Sequence, residues 1–310
     1  IGSDEGGTRL NILDPVILQG GGLAVQRRLL RTVAETAMGA KLTPRQAKAL
    51  ALAHRRVLRL AEGQGRVPVL EDLVSQVGLV LPQETPDESA HARELLHEAG
   101  MEVRYVMEEA ILEDLEGLFD GETSKHVQLQ KRLTSVDISQ LPEDGPAVAL
   151  VMAVSNVWLM GMLRHQRGMR TSFIAEEGWH LVSGPSGELF RSNSKLSRGL
   201  GLSNVAAFHH PGDIPAGSPG EAMLKEAQTI HMFRQDRDED IEATARMFGL
   251  AEGSRELLGS LPQGEHLLKI GTRRELHVRH VRSRTEVDLT NTDSAMLSTG
   301  EVPEQELKIA

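Results

Sequence analysis

The sequence predicts an α/β protein, with a largely parallel sheet covered by helices on both faces and an all-α block inserted into it. Three observations carry that expectation. Residues 23–131 are helical in pattern and contain no β-rich run. After residue 131, strand-like runs alternate with helix-length segments, the arrangement that builds parallel sheets. Of the 310 residues, 40% are apolar and 25% charged, the balance of a globular chain with a sizeable core.

Taken in order, Thr8–Leu13 (TRLNIL) reads as a short strand-like run closed by Asp14-Pro15, and Gly20-Gly21-Gly22 as a flexible break. Leu29, Leu30, Val33, Ala34 and Ala37 then recur at helix spacing. Thr43 is the expected N-cap of a second helix, with Pro44 at its first position and Gly63-Gln64-Gly65 as its stop. More helix is expected near Val69–Val77, Ala90–Ala99 and Val103–Leu118. Strands are expected at Leu133–Ile138, Thr171–Ala175, Asn204–Phe208, Thr229–Phe233, His266–Ile270 and Glu275–Val281. Helices are expected at Pro146–His165, Gly187–Leu196, Gly220–Ala227 and Asp238–Phe248. The last two strands, with Gly271-Thr272 between them, predict a hairpin and an antiparallel edge. The domain reading is therefore a core from residues 1–22 and 132–290, an all-α insertion at 23–131 and a polar tail at 291–310.

A net charge of −10 argues against a chain that coats nucleic acid through many phosphate contacts. The Arg-rich stretches at 27–31, 55–59 and 273–284 read as solvated faces. There is no cysteine, which excludes disulfides, thiolate metal sites and thiol nucleophiles. The apolar run Pro146–Leu163, broken only by Ser155 and Asn156, approaches the length of a membrane span. The polar pair at its centre and the strand pattern after it favour a core helix, so no stable span is expected.

The sharpest motif is Thr171-Ser-Phe-Ile-Ala-Glu176-Glu177-Gly-Trp179. Apolar strands ending in two acids form the Walker B element of P-loop ATPases, and ligands of open α/β sheets sit at that end of the strand. There one acid can support Mg²⁺ and the other can orient the attacking water. The same string also fits an ordinary solvated acidic turn.

The ordered motifs around it resemble the conjugative-transfer and type IV secretion ATPases, which belong with the HerA- and FtsK-type motors. Leu10-Asn-Ile-Leu-Asp14-Pro15 is similar to that family's LNPLDP segment, and Gly117-Leu-Phe-Asp-Gly121-Glu-Thr-Ser124 to the LFDG turn that ends its helical insertion. Ser135-Val-Asp137-Ile-Ser139 resembles its next strand, and Ala175-Glu176-Glu177-Gly178-Trp179 its DEAW form of Walker B. Arg198-Gly199 and Phe208-His209-His210-Pro211-Gly212-Asp213 stand where it has RK.G and TQSP.D. Met247-Phe-Gly-Leu250, Leu257-Leu258 and Leu261-Pro-Gln-Gly264 resemble its closing half, so the likeness runs along nearly the whole chain.

The resemblance implies a RecA-like core, ATP and Mg²⁺ as cofactors, and a hexameric ring that moves DNA or protein for secretion or conjugation machinery. It places the protein in the cytoplasm or at the inner face of the cell membrane. It implies that Glu177 polarises the lytic water and that Glu176 supports Mg²⁺ through water, although the family has Asp at the second of these positions. His209 or His210 falls near the family's γ-phosphate-sensing glutamine. Lys195 and Arg198 match the stretch that includes its arginine finger, with Arg191 as a neighbouring competitor. The alternative for these groups is a loop cap beside Pro211 and an ordinary basic helix surface.

One element is missing. A phosphate loop needs Gly-x4-Gly-Lys-Ser/Thr, and no such string occurs here; Gly161–Thr171 (GMLRHQRGMRT) fails in spacing and lacks Lys. In the family that loop precedes LNPLDP, so ATP and Mg²⁺ are expected only together with sequence upstream of residue 1. Two readings follow: the C-terminal part of an ATPase motor, or a catalytically silent interaction module of the same apparatus. His277 and His280, three apart on a strand, face opposite ways and predict no shared metal.

Overall fold

The computed structural model describes residues 8–15, 22–125, 127, 131–138, 141, 146–165, 168–176, 178, 184–214 and 216–290. It divides into two compact units, residues 1–226 and 227–310.

The helical block of the first unit contains α1 (Gly22–Ala37), α2 (Pro44–Gln64), α3 (Leu70–Gln76) and α4 (Ala90–Met107), the last continuing as a π-helical turn over Glu108–Glu113. Helix α2 begins as expected. Thr43 Oγ1 accepts from the Gln46 amide, the Gln46 side chain accepts from the Thr43 amide, and Gly65 closes the helix at φ 64°. Its buried Arg56 donates to Glu84 and to the carbonyls of Gln76 and Leu79, tying the end of α3 and the segment after it to α2. Arg56, its largest influence, holds the Glu84 carboxyl below the usual range. The two ends of the block meet: Leu10 N–H donates to Leu118 O at 2.8 Å, and Ser124 N–H to Arg9 O at 3.0 Å. Buried Asn11 donates to Pro68 O at 2.9 Å, which fastens the same junction to the α2–α3 loop. Thr8–Leu13 is thus pinned by a facing segment without forming a strand.

Helix α5 (Ala147–His165) is apolar on all sides, and 83% of its 18-residue window Ala147–Arg164 is buried. Its Asn156 accepts from Asn193 Nδ2 at 2.7 Å, so the polar break in the apolar run is a satisfied contact inside the core. Strand β1 (Thr171–Ala175), helix α6 (Gly184–Ser197) and strand β2 (Leu202–Ala206) form a β-α-β unit, with β1 and β2 parallel from Thr171↔Leu202 to Ala175↔Ala206. Phe173 faces inward against Phe190 of α6, ring centroids 5.9 Å apart. Helix α7 (Pro219–Lys225) ends the unit.

The second unit contains β3 (Thr229–Met232), α8 (Asp238–Phe248), α9 (Glu252–Leu258), β4 (Glu265–Ile270), β5 (Leu276–Arg279) and α10 (Arg284–Thr290). Its sheet has the order β3-β4-β5 and is antiparallel throughout. Met232 and Leu267 pack with Leu258 and Leu261 in its core. Three acids, Asp238, Glu239 and Asp240, start α8, where they suit the positive end of the helix dipole.

Beyond Thr8–Leu13, the architecture departs from the sequence expectation in three further places. Leu133–Ile138 is not a strand; Leu133 is 87% exposed, and among the described residues no strand pairs with this run. The strands form two small sheets among the described residues, and β3, expected in the parallel sheet, pairs antiparallel with β4. One face of the β1–β2 pair is open, with Ile174 68% and Val205 50% exposed, where cover on both faces was expected. The hairpin between the last two strands is present as expected. Gly20, Gly21, Ser139 and the 291–310 tail lie outside the described residues.

Candidate functional site

The parallel strands run in one direction, so their C-terminal ends make a common edge. Glu176 leaves β1 there, exposed, directly after buried Ala175. The segment that follows β2 is bound to it by a short continuation of the ladder. Ala207 N–H donates to Ala175 O at 3.0 Å, and Gly178 N–H donates to Ala207 O at 2.8 Å. A Cβ at Gly178 would lie 2.9 Å from Ala207 O and 2.9 Å from the Phe208 ring, so glycine permits this approach. The loop carrying Glu176 and the loop carrying His209 and His210 therefore share one edge, and His209 and His210 are both exposed on it. Sequence reasoning passed over Gly178; a glycine directly after strand-end acids was the available signal.

Glu177 and Trp179 lie outside the described residues.

The basic candidates stand elsewhere. Arg198 opens a 3₁₀ turn, Arg198–Leu200, and its carbonyl accepts from Gly201 N–H. Gly201 O in turn accepts from Thr171 N–H at 3.1 Å, at the start of β1. Arg198 and Lys195, in the last turn of α6, thus belong to the N-terminal edge. A five-residue strand spans roughly 13 Å, so these cations are separated from Glu176 by the length of the sheet. Arg191, further back on α6, is 4.0 Å from Glu226, and its Nε is buried without a hydrogen-bond partner. The structure brings Glu176, His209 and His210 to one edge and leaves Lys195, Arg198 and Arg191 off it.

Against the solved structures, this chain matches VirB4 of Thermoanaerobacter pseudethanolicus with a TM-score of 0.72, at 20% identity, over 91% of this chain and 78% of that one. The chain shares the fold of that VirB4. No protein-family model and no curated protein matches it.

The edge fits only part of an ATP–Mg²⁺ site. Mg²⁺ in nucleotide sites is held by one or two carboxylates together with phosphates and water, and exposed Glu176 is suited to that role. Among the described residues no group of three or more His, Asp or Glu is placed to hold a metal ion. No Gly-x4-Gly-Lys-Ser/Thr string is present to cradle phosphates.

His277 and His280 have separate partners: His277 is 2.6 Å from Glu265 and His280 3.7 Å from Glu286.

Proposed function

We propose that this chain is the hydrolytic end of a type IV secretion-type ATPase. The observation that carries the proposal is the joined edge: Glu176 leaves β1 where Ala175 and Gly178 both hydrogen-bond to Ala207, just ahead of His209 and His210, in a VirB4-like fold. The structural match to VirB4, a type IV secretion ATPase, supports the same reading. In it residues 1–22 and 132–290 belong to a RecA-like core, the helical block at 23–131 is an insertion, and the protein works as a ring with secretion machinery at the cytoplasmic face of the membrane. Glu177 orients and deprotonates the attacking water, Glu176 lies on the metal side, and His209 or His210 hydrogen-bonds near the transferred phosphate. Bound Mg²⁺ would supply charge neutralisation on the phosphate oxygens.

Arg198 stands on the opposite edge from Glu176, so its charge serves a neighbouring subunit. Arg191, partly held by Glu226, is the second candidate for that role.

A second reading, a silent interaction module, is favoured by the missing phosphate-loop string and by Glu at position 176. A nucleotide titration separates the two. The motor reading predicts ATP binding once the upstream coding sequence is included and little or none with the 310 residues alone. No binding in either form would support the silent module.

A further inference from the structure

One buried histidine in the second unit has no part in that chemistry. On one face of the β3-β4-β5 sheet, His231 Nδ1 and His266 Nε2 are 3.0 Å apart. His266 is only 7% exposed, and the Phe233 ring lies against it, centroids 5.1 Å apart. Its other nitrogen, Nδ1, is buried without a hydrogen-bond partner. These facts select the tautomer. A proton on Nδ1 would be a buried donor with nothing to accept it, so the proton belongs on Nε2, donated to His231 Nδ1.

That arrangement has room for one proton between the rings. A second proton on His231 Nδ1 would set two N–H groups against each other, and a second proton on His266 would place a charge and an unmet donor in the sheet. The titratable groups acting on His266 are His231 from β3, His277 from β5 and His280 just after β5, with no carboxylate among them. Burial, then these imidazoles, holds His266 below the usual histidine range. A metal centre is the weaker use of the pair, because a ligating imidazole normally has its second nitrogen oriented by a partner.

We infer that the His231–His266 pair is a proton-sensitive latch that fastens β3, a four-residue strand whose one partner among the described residues is β4, to the rest of the sheet. The sign follows from the lowered range. In the unfolded chain His266 takes up a proton at higher pH than it does in the folded sheet, so the latch holds at neutral pH and opens as the solution turns acid.

Hydrogen exchange of the 310-residue chain tests this. Protection of the 229–232 amides, corrected for intrinsic exchange, should fall roughly tenfold from about pH 7.5 to about pH 5. His266→Gln, whose amide can still donate to His231 Nδ1 but takes up no proton, should remove the fall, and His277→Gln on the other face should retain it. Unchanged protection in the parent chain, or the same fall in His266→Gln, would overturn the latch. If His266→Gln does not fold, imidazole ¹⁵N shifts of the parent chain decide: a proton on His266 Nδ1 at neutral pH contradicts the proposal.

Discussion

Gly100 sits in the middle of α4, where glycine is a poor helix former, and its neighbour explains it. A Cβ there would stand 2.6 Å from Gly78 Cα and 2.9 Å from Gly78 N, both backbone atoms. Gly78 cannot readily yield, because it holds φ 86° and its carbonyl meets His97 Nδ1 at 2.7 Å. Gly100→Ala should therefore destabilise the chain by about 1–3 kcal/mol, read as a lower urea midpoint with an unchanged slope. Gly63, with nothing within 4 Å of its Cβ position, is the control. Gly63→Ala should be neutral or stabilising by up to about 1 kcal/mol. The purpose of neither Gly78 nor Gly100 is legible in the sequence, since close approach of two distant backbones leaves no local pattern. Gly178 is the same case at the candidate site.

Helices α1 and α2 share a polar contact inside an apolar interface: His54 Nε2 and Gln26 Oε1 are 2.7 Å apart, and both residues are buried. Burial, then the charges of Arg27 and Arg55, lowers His54 from its ordinary 6.5 to about 4. Between those values the unfolded chain binds the proton and the folded one does not, so stability falls as pH drops through that window. The loss should approach about 3 kcal/mol by pH 4. Denaturant unfolding of the first unit at pH 7 and pH 4.5 should show the decline, and His54→Leu should remove most of it.

Elements with strong local signals were readable in advance: Thr171–Ala175, Asp238–Phe248, the Thr43 cap and the final hairpin stand where their patterns put them. Leu133–Ile138 has the same β-prone character and forms no strand, because a strand exists only by pairing and nothing local announces a partner. Buried His54 reads in sequence as one more residue on an apolar helix face. Asn156, which marked α5 as a core helix and not a membrane span, was informative because a polar residue in an apolar run demands a partner.

At the scale of the whole molecule, the sequence order lists the candidate residues but cannot sort them by edge. Only the parallel pairing of β1 and β2 shows that Arg198 and Glu176 leave opposite ends of the strands. If the site is shared between subunits, Arg198→Ala and Glu177→Gln should each abolish turnover in the protein carrying its upstream sequence. Mixing the two variants should then restore a measurable fraction, from interfaces that pair an intact Glu177 with an intact Arg198. No recovery on mixing would place both residues in one subunit's site or in none.

The central claim is that the strand-end acids run ATP hydrolysis. Its most direct test is steady-state phosphate release by Glu177→Gln beside the parent protein, with ATP affinity measured on both. The account predicts turnover reduced by about 10²–10⁴, the usual contribution of a general base, with ATP binding retained. Turnover equal to that of the parent protein would contradict it.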